Sequence, residues 1–435
     1  MLACISSPKH ALTLPLILAV ALSAVGCAAG SGGDGASSAS NDGSSQSGSG
    51  GGGTTNNGTS NNSGGNDQAS SDSTIVVESS GPLAVDQLPI NEWVQVKPGL
   101  VLAAGVPSDT EIVPHAVNYG NSTYRSATGE VVFYEGAQNS SLREDYYADA
   151  VASWDVGNNV VTINKLTNWG GSLYSGGWLL PDFQSDVTPA PRHVYDAFAY
   201  VSNRDELMLI LGANSKLRTG TNVTSAAKTA LDTDQHSTWI YQFGANSWER
   251  REDGNIRTFW PSIYTVSNYE SHLKYWPEKD RMLFLDSNGT HAAEYDFKSK
   301  SWEQITLQSS PPDSLYGALS TWDSKRQRWV FRNGSTFFYY DPQTHTYGTL
   351  PSPTGLSGGS DVTYINDSDE YLAIGATAAE TRIFNPNTGT WKSLNAGGAT
   401  FSGVNNDQYI EYDSETGLVA MLTQGGDYYV LRYQP

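Results

Sequence analysis

Arg192, His193 and Tyr195 fall within four consecutive residues. A guanidinium holds a carboxylate or sulfate in bidentate fashion, an imidazole titrates near neutral pH, and a phenol exchanges a proton. This trio suits proton removal beside a carboxylate, as in β-elimination on a uronate-containing polysaccharide. Arg192 or Arg257 would neutralise the carboxylate, His193 or Tyr195 would take the proton, and His115 or His272 would act as the acid. The plainer reading is that such residues line a polar channel. A second set is aromatic and basic: Tyr174, Trp178, Arg251, Arg257 and Trp260. Aromatic faces stack on sugars and arginines bind anionic groups, although aromatic loop residues also serve simply to pack loops.

Other chemistries find no residues to carry them. There is no HExxH or HxH and no pair of cysteine ligands, and six scattered histidines beyond His10 make no metal set. No Gly-Lys phosphate cradle occurs, so neither a metal nor a cofactor is expected. Asn366-Asp-Ser-Asp-Glu370 reads as a hairpin turn rather than a calcium loop. With 45 acidic against 25 basic side chains, the net charge of −20 opposes nucleic-acid binding and docking on anionic lipid through a basic face. Two cysteines, Cys4 and Cys27, cannot form a disulfide scaffold.

The elements that position these residues emerge from self-comparison. Aromatic residues recur seven positions from a second large residue, across turn formers. Tyr241/Trp248, Tyr295/Trp302, Tyr340/Tyr347, Phe384/Trp391 and, more weakly, Trp154/Val161 form one family. Tyr124/Val131, Tyr200/Leu207, Tyr275/Met282, Trp322/Trp329, Tyr364/Tyr371 and Tyr412/Val419 form another. An offset of seven around a short loop places both side chains across from each other on one face of a hairpin. Each hairpin of the second family continues into an apolar strand and then a glycine (Gly136, Gly212, Gly289, Gly334, Gly375, Gly425-Gly426). Six units of two hairpins, with no convincing 3.6-residue period, predict an all-β six-bladed propeller.

These repeats resemble the kelch family, which has a glycine doublet after the second strand and a spaced Tyr and Trp. The Tyr/Trp spacing is well kept, and the doublet survives only at Gly425-Gly426. The resemblance covers about residues 90–435 and implies a kelch-like propeller. Some kelch-like propellers are copper–radical oxidases that require a Tyr–Cys crosslink, and residues 81–435 hold no cysteine for it. The sixth unit lacks an outer strand, while Trp93-Val94-Gln95-Val96 matches the outer strands at Trp302 and Trp391. The N-terminal strand is therefore expected to complete the last blade and close the ring.

In such a ring both turn families share one face, and the long segments 136–148, 170–192, 213–238 and 249–268 fall on the other. Long structured loops on a rigid scaffold carry function. The inner strands would line the channel with His115, Asn118, Arg192, His193, Tyr195 and Asp196, then Glu270, His272, Tyr316, Asp361, Asn406 and Asp407.

Residues 1–80 contain no aromatic residue. Residues 11–26 form a signal-length apolar run after a single side-chain charge, Lys9. Ala24-Val25-Gly26-Cys27 resembles a lipobox, which implies cleavage and lipidation at Cys27, and Ala28 resembles the outer-membrane sorting pattern. Ala28–Ser80 is a Gly/Ser/Asn-rich tether, with a mean reach of roughly 40 Å. The expected organisation is signal peptide 1–26, lipidated tether 27–80 and propeller 81–435. The expected molecule is a monomeric lipoprotein of the outer membrane, attached to lipid only through its N-terminus. It would present its loop-rich face to a glycan or protein partner, with a polysaccharide-active enzyme as the alternative.

Overall fold

The computed structural model describes residues 76–77, 81–103, 121–134, 137–138, 147–148, 150–166, 188–189, 194–212, 236–251, 256–260, 271–356, 361–397, 401, 408–423 and 426–435. All lie in one unit, Ala69–Pro435. Among the described residues, three strands precede the first blade: β1 (Val76–Val77), β2 (Trp93–Val96) and β3 (Gly99–Leu102). Blade 1 is built on β4 (Asn121–Arg125) and β5 (Glu130–Tyr134). After a small hairpin, β6 (Ala137–Gln138) and β7 (Tyr147–Ala148), it continues through β8 (Ala150–Asp155) and β9 (Val160–Leu166).

Blade 2 contains β10 (Phe198–Val201), β11 (Glu206–Leu209), β12 (Thr238–Gln242) and β13 (Ser247–Arg251). Blade 3 contains β14 (His272–Trp276), β15 (Arg281–Leu285), β16 (Ala292–Asp296) and β17 (Ser301–Ile305). Blade 4 contains β18 (Leu319–Asp323), β19 (Arg328–Asn333), β20 (Thr336–Asp341) and β21 (Thr346–Leu350). Blade 5 contains β22 (Val362–Ile365), β23 (Glu370–Ala373), β24 (Arg382–Asn385) and β25 (Thr390–Ser393). Blade 6 joins β26 (Gln408–Asp413), β27 (Leu418–Thr423) and β28 (Tyr428–Arg432) to the N-terminal β2.

The fold is thus an all-β six-bladed propeller, and the N-terminal strand closes it: β2 pairs antiparallel with β28, Trp93 opposite Leu431. Besides the β6–β7 hairpin, two strands among the described residues add to the edges of blades outside the four-strand pattern. β1 extends blade 6 in parallel with β2, and β3 extends blade 1 in parallel with β9. Parallel partners leave no hairpin turn behind, so the turn chemistry of the sequence gives no sign of them.

All eleven offset-of-seven pairs face one another across their hairpins, from Tyr124 opposite Val131 to Tyr412 opposite Val419 and from Trp154 opposite Val161 to Phe384 opposite Trp391. The backbone reason is shared. The fifth residue after each leading aromatic has a positive φ, as at Asp205 (φ 52), Asp369 (φ 57), Asn246 (φ 48) and Gly417 (φ 71). It is Gly, Asn or Asp in eight of the eleven turns, the types that tolerate the left-handed region, and Gln327, Lys300 and His345 fill the rest.

The buried apolar side chains of the described residues form six clusters, one between each pair of neighbouring blades. Between blades 1 and 2, for example, Val132 and Tyr134 meet Phe198, Leu207 and Trp239. The closing strand serves two of these clusters, with Val94 and Val96 facing blade 1 and Trp93 facing blade 5.

Candidate functional site: the central channel

Ordered from the crossover end, the inner strands stack three layers of side chains around the channel. The deepest layer is a buried polar hub. Asp196 precedes β10, and its carboxylate accepts from Asn121 Nδ2 of blade 1 (2.8 Å), His272 Nδ1 of blade 3 (2.8 Å) and Ser320 Oγ of blade 4. One carboxylate therefore links four blades. His272 also approaches the Leu315 carbonyl through Nε2 (2.9 Å). Carbonyl and carboxylate oxygens both accept, so each ring nitrogen of His272 faces an acceptor. The backbone reinforces the pair, because Leu273 N–H donates to the Asp196 carbonyl at 2.7 Å. His272 is 1% exposed and Asp196 3%.

On the other side of the hub, buried Asp361 accepts from the N–H groups of Val362 (2.7 Å) and Ile410 (2.8 Å), tying blade 5 to blade 6. Burial holds its carboxyl well above the usual carboxylate range. Arg332 donates to the carbonyls of Gly334 (2.9 Å), Asp361 (3.3 Å) and Ile374, and burial lowers its guanidinium to about 10.

The middle layer is the residue before each leading aromatic: Thr123, Ala199, Lys274, Thr321, Thr363 and Glu411. Lys274 Nζ donates to the Ser320 carbonyl at 3.3 Å, and Glu411 accepts from Ser122 Oγ at 3.2 Å. Desolvation pushes the Glu411 carboxyl up to about 7, against the opposing pull of Lys274.

The outer layer is the ring of leading aromatics, whose hydroxyls lock onto turn carboxylates. Tyr200 donates to Asp205 (3.0 Å), Tyr275 to Asp280 (2.8 Å), Tyr364 to Asp369 (2.9 Å), Tyr412 to Asp367 (2.8 Å) and Tyr124 to Asp413 (2.8 Å). Burial raises the Tyr124 and Tyr200 phenols to about 12 and those of Tyr275, Tyr364 and Tyr412 further. These phenols stay protonated as donors near neutral pH. Three of the carboxylates also receive an arginine from the preceding blade: Arg125 to Asp205 (2.7 Å twice), Arg204 to Asp280 (2.7 Å) and Arg326 to Asp369 (2.6 and 3.0 Å). A cavity of about 330 Å³ opens between these aromatics on the short-turn face, with Lys274 and Glu411 in its lining.

The residues singled out by chemistry distribute as follows. His115, Arg192, His193, Tyr174, Trp178 and Cys27 lie outside the described residues, as do the channel candidates Asn118, Glu270, Asn406 and Asp407. Tyr195 has a positive φ of 50, an uncommon backbone state for a bulky residue, directly before Asp196. His272 is locked in the hub. Trp260 is buried against Phe284 (6.1 Å, stacked) and His291 (5.0 Å), packing its loop onto blade 3. Arg251 sits on the outermost strand of blade 2 and pairs with Glu249 at 3.1 Å. Arg257 lies in a short 3-10 turn, Ile256–Thr258, and its side chain is outside the described residues. Tyr316 is not on an inner strand; it sits before β18 and is 57% exposed. Lys274 and Glu411 were not expected. The signal was available in the aligned repeats, since theirs are the only charged side chains at that position of the six inner strands. Among the described residues no group of three His, Cys, Asp or Glu side chains could hold a metal ion.

No protein-family model matches the chain, and no curated protein matches it. Among solved structures it is similar to a structural-genomics protein of unknown function from Bacteroides thetaiotaomicron VPI-5482. The identity is 14% and the TM-score 0.42, over 70% of this chain. The match spans 66% of that protein's length.

Proposed function

We propose that the propeller is a binding module, a divergent kelch-like ring held at the cell envelope by a lipidated Cys27 and a flexible tether. It would offer the long-connection face of blades 1–3 to a glycan or a protein partner. The observation that carries this reading is where the long connections leave the ring. Residues 135–149, 167–197, 210–237 and 252–271 all depart from the ends of blades 1–3 opposite the eleven tight turns. Residues 334–335, by contrast, suffice for the corresponding link in blade 4. Rigid blades with long loops on one side suit recognition. The test is glycan-array and pull-down binding by the full chain, with Tyr174→Ala and Trp178→Ala variants. Trp260 is left intact because it packs the fold. Loss of the captured ligand in the variants is the expected result, and wild-type binding by the double variant would reject this face.

A second reading, an enzyme acting on an acidic polysaccharide, draws on Tyr195, held at positive φ next to the Asp196–His272 pair. Such strain accumulates at functional sites. Polyuronates would then give an ultraviolet-absorbing unsaturated product. His193→Ala and Tyr195→Phe variants that turn over like wild type would remove this assignment.

A further inference from the structure

We propose a second ligand site, at the short-turn mouth of the central channel, for a small hydroxylated carboxylate of sugar-acid size. It lies on the face opposite the long connections and stands or falls independently of the binding-module reading.

The cavity there, about 330 Å³, is at the low end of small-molecule sites, which span roughly 300–1,000 Å³. Its walls are layered. At the floor are one base and one acid, Lys274 and Glu411, with Thr123, Thr321 and Thr363 between them. The two charged groups share the cavity without forming an ion pair. The ammonium has three donors, and its one hydrogen bond in the structure is the long one to the Ser320 carbonyl. Glu411 has one donor, Ser122. A half-buried acid and base left this incompletely matched are completed by a ligand that accepts from one and bonds to the other.

Above the floor, the aromatic layer supplies apolar walls, and the pinned phenols keep them rigid. At the rim, the residue two beyond each aromatic is Ser126, Ser202, Ser324, Asn366 or Ser414, with Pro277 in blade 3. An ammonium below, apolar walls and a collar of hydroxyls and an amide match a molecule with one carboxylate, several hydroxyls and an apolar ring face. Lys274 would take the carboxylate, Glu411 a neighbouring hydroxyl, and the rim serines the outer hydroxyls. Because the Glu411 carboxyl is raised to about 7, it is largely neutral at pH 6 and tolerates a nearby anion. The groups acting on it are Lys274 on β14, Ser122 on β4 and Asp196 ahead of β10, with Asp361 ahead of β22 in turn feeling its charge.

The test is isothermal titration of the full chain with D-galacturonate, D-galactose and glycine. D-galacturonate should bind saturably one to one at pH 6, with neutral D-galactose about tenfold weaker or worse and glycine not at all. Lys274→Met should cost about tenfold or more in Kd while Lys274→Arg retains binding. Both variants should remain folded at pH 6, each with a single cooperative thermal transition. Affinity should fall from pH 6 to pH 8, and this step should vanish in Glu411→Gln. No saturable binding of D-galacturonate would overturn the proposal. So would equal affinity for D-galactose, or an unchanged Kd in a folded Lys274→Met.

Discussion

Glu411 shows how one channel residue couples to stability. Its native carboxyl titrates at about 7 against an ordinary 4.5, so the folded chain holds this proton more tightly than the unfolded one. The burial penalty is therefore absent below pH 4, grows as pH rises through 7, and is complete above it. Glu411→Gln keeps the shape and removes the titration. The variant should match wild type in denaturant stability at pH 4 and exceed it at pH 8 by about 1–3 kcal/mol. A constant difference at both pH values would contradict this. The residue scale is also where the sequence was least legible. His272 and Tyr195 could be picked out by type, yet the role of His272 depends on Asp196, whose partners Asn121 and Ser320 come from 75 and 124 residues away. A linear spacing cannot show that four blades meet at one carboxylate. Lys274 and Glu411 escaped because neither belongs to a motif; they are exceptional only in the column of aligned repeats.

At the scale of the element, hairpins were legible to the residue, because the aromatic, the turn formers and the left-handed fifth position are all local. What joins one hairpin to the next blade was not. Asp369 is an example: at positive φ in its own turn, it accepts from Tyr364 in its blade and from Arg326 and Lys325 of blade 4. Asn387 of the neighbouring turn in its own blade adds a further bond. The arginine is the main reason its carboxyl is held far below the usual range. A depressed carboxyl stabilises the fold above its unfolded pKa, and that contribution fades as pH falls through the acid range. Asp369→Asn keeps a residue tolerant of positive φ and removes the charge. It should lower stability at pH 7 by about 2 kcal/mol, and the difference should shrink steadily as pH drops below 4. A loss of equal size at pH 7 and pH 2.5 would show that the clasp is not electrostatic.

At the scale of the whole molecule, closure determines how these local features add up. A propeller has no core at its centre. Among the described residues its apolar mass lies in six clusters between blades, and each blade contributes to two of them. The chain seals the ring where its ends meet, and Trp93 sits at that seam. It is fully buried, its Nε1–H donates to Thr381 Oγ1 of blade 5 at 3.0 Å, and its ring meets Phe401 edge-on at 5.6 Å. Trp93→Ala should cost about 3–5 kcal/mol, the usual range for removing a buried tryptophan. The form of the loss is more telling than its size. Opening blade 6 exposes β28 as an edge and uncovers faces of blades 1 and 5, so the remaining blades cannot keep their clusters intact. Tryptophan fluorescence and far-ultraviolet circular dichroism should therefore report one coincident transition, shifted to lower denaturant with an unchanged slope. A separate early transition in fluorescence, with most of the strand signal persisting, would mean that the blades are held pairwise and that the ring adds nothing beyond its neighbours' contacts.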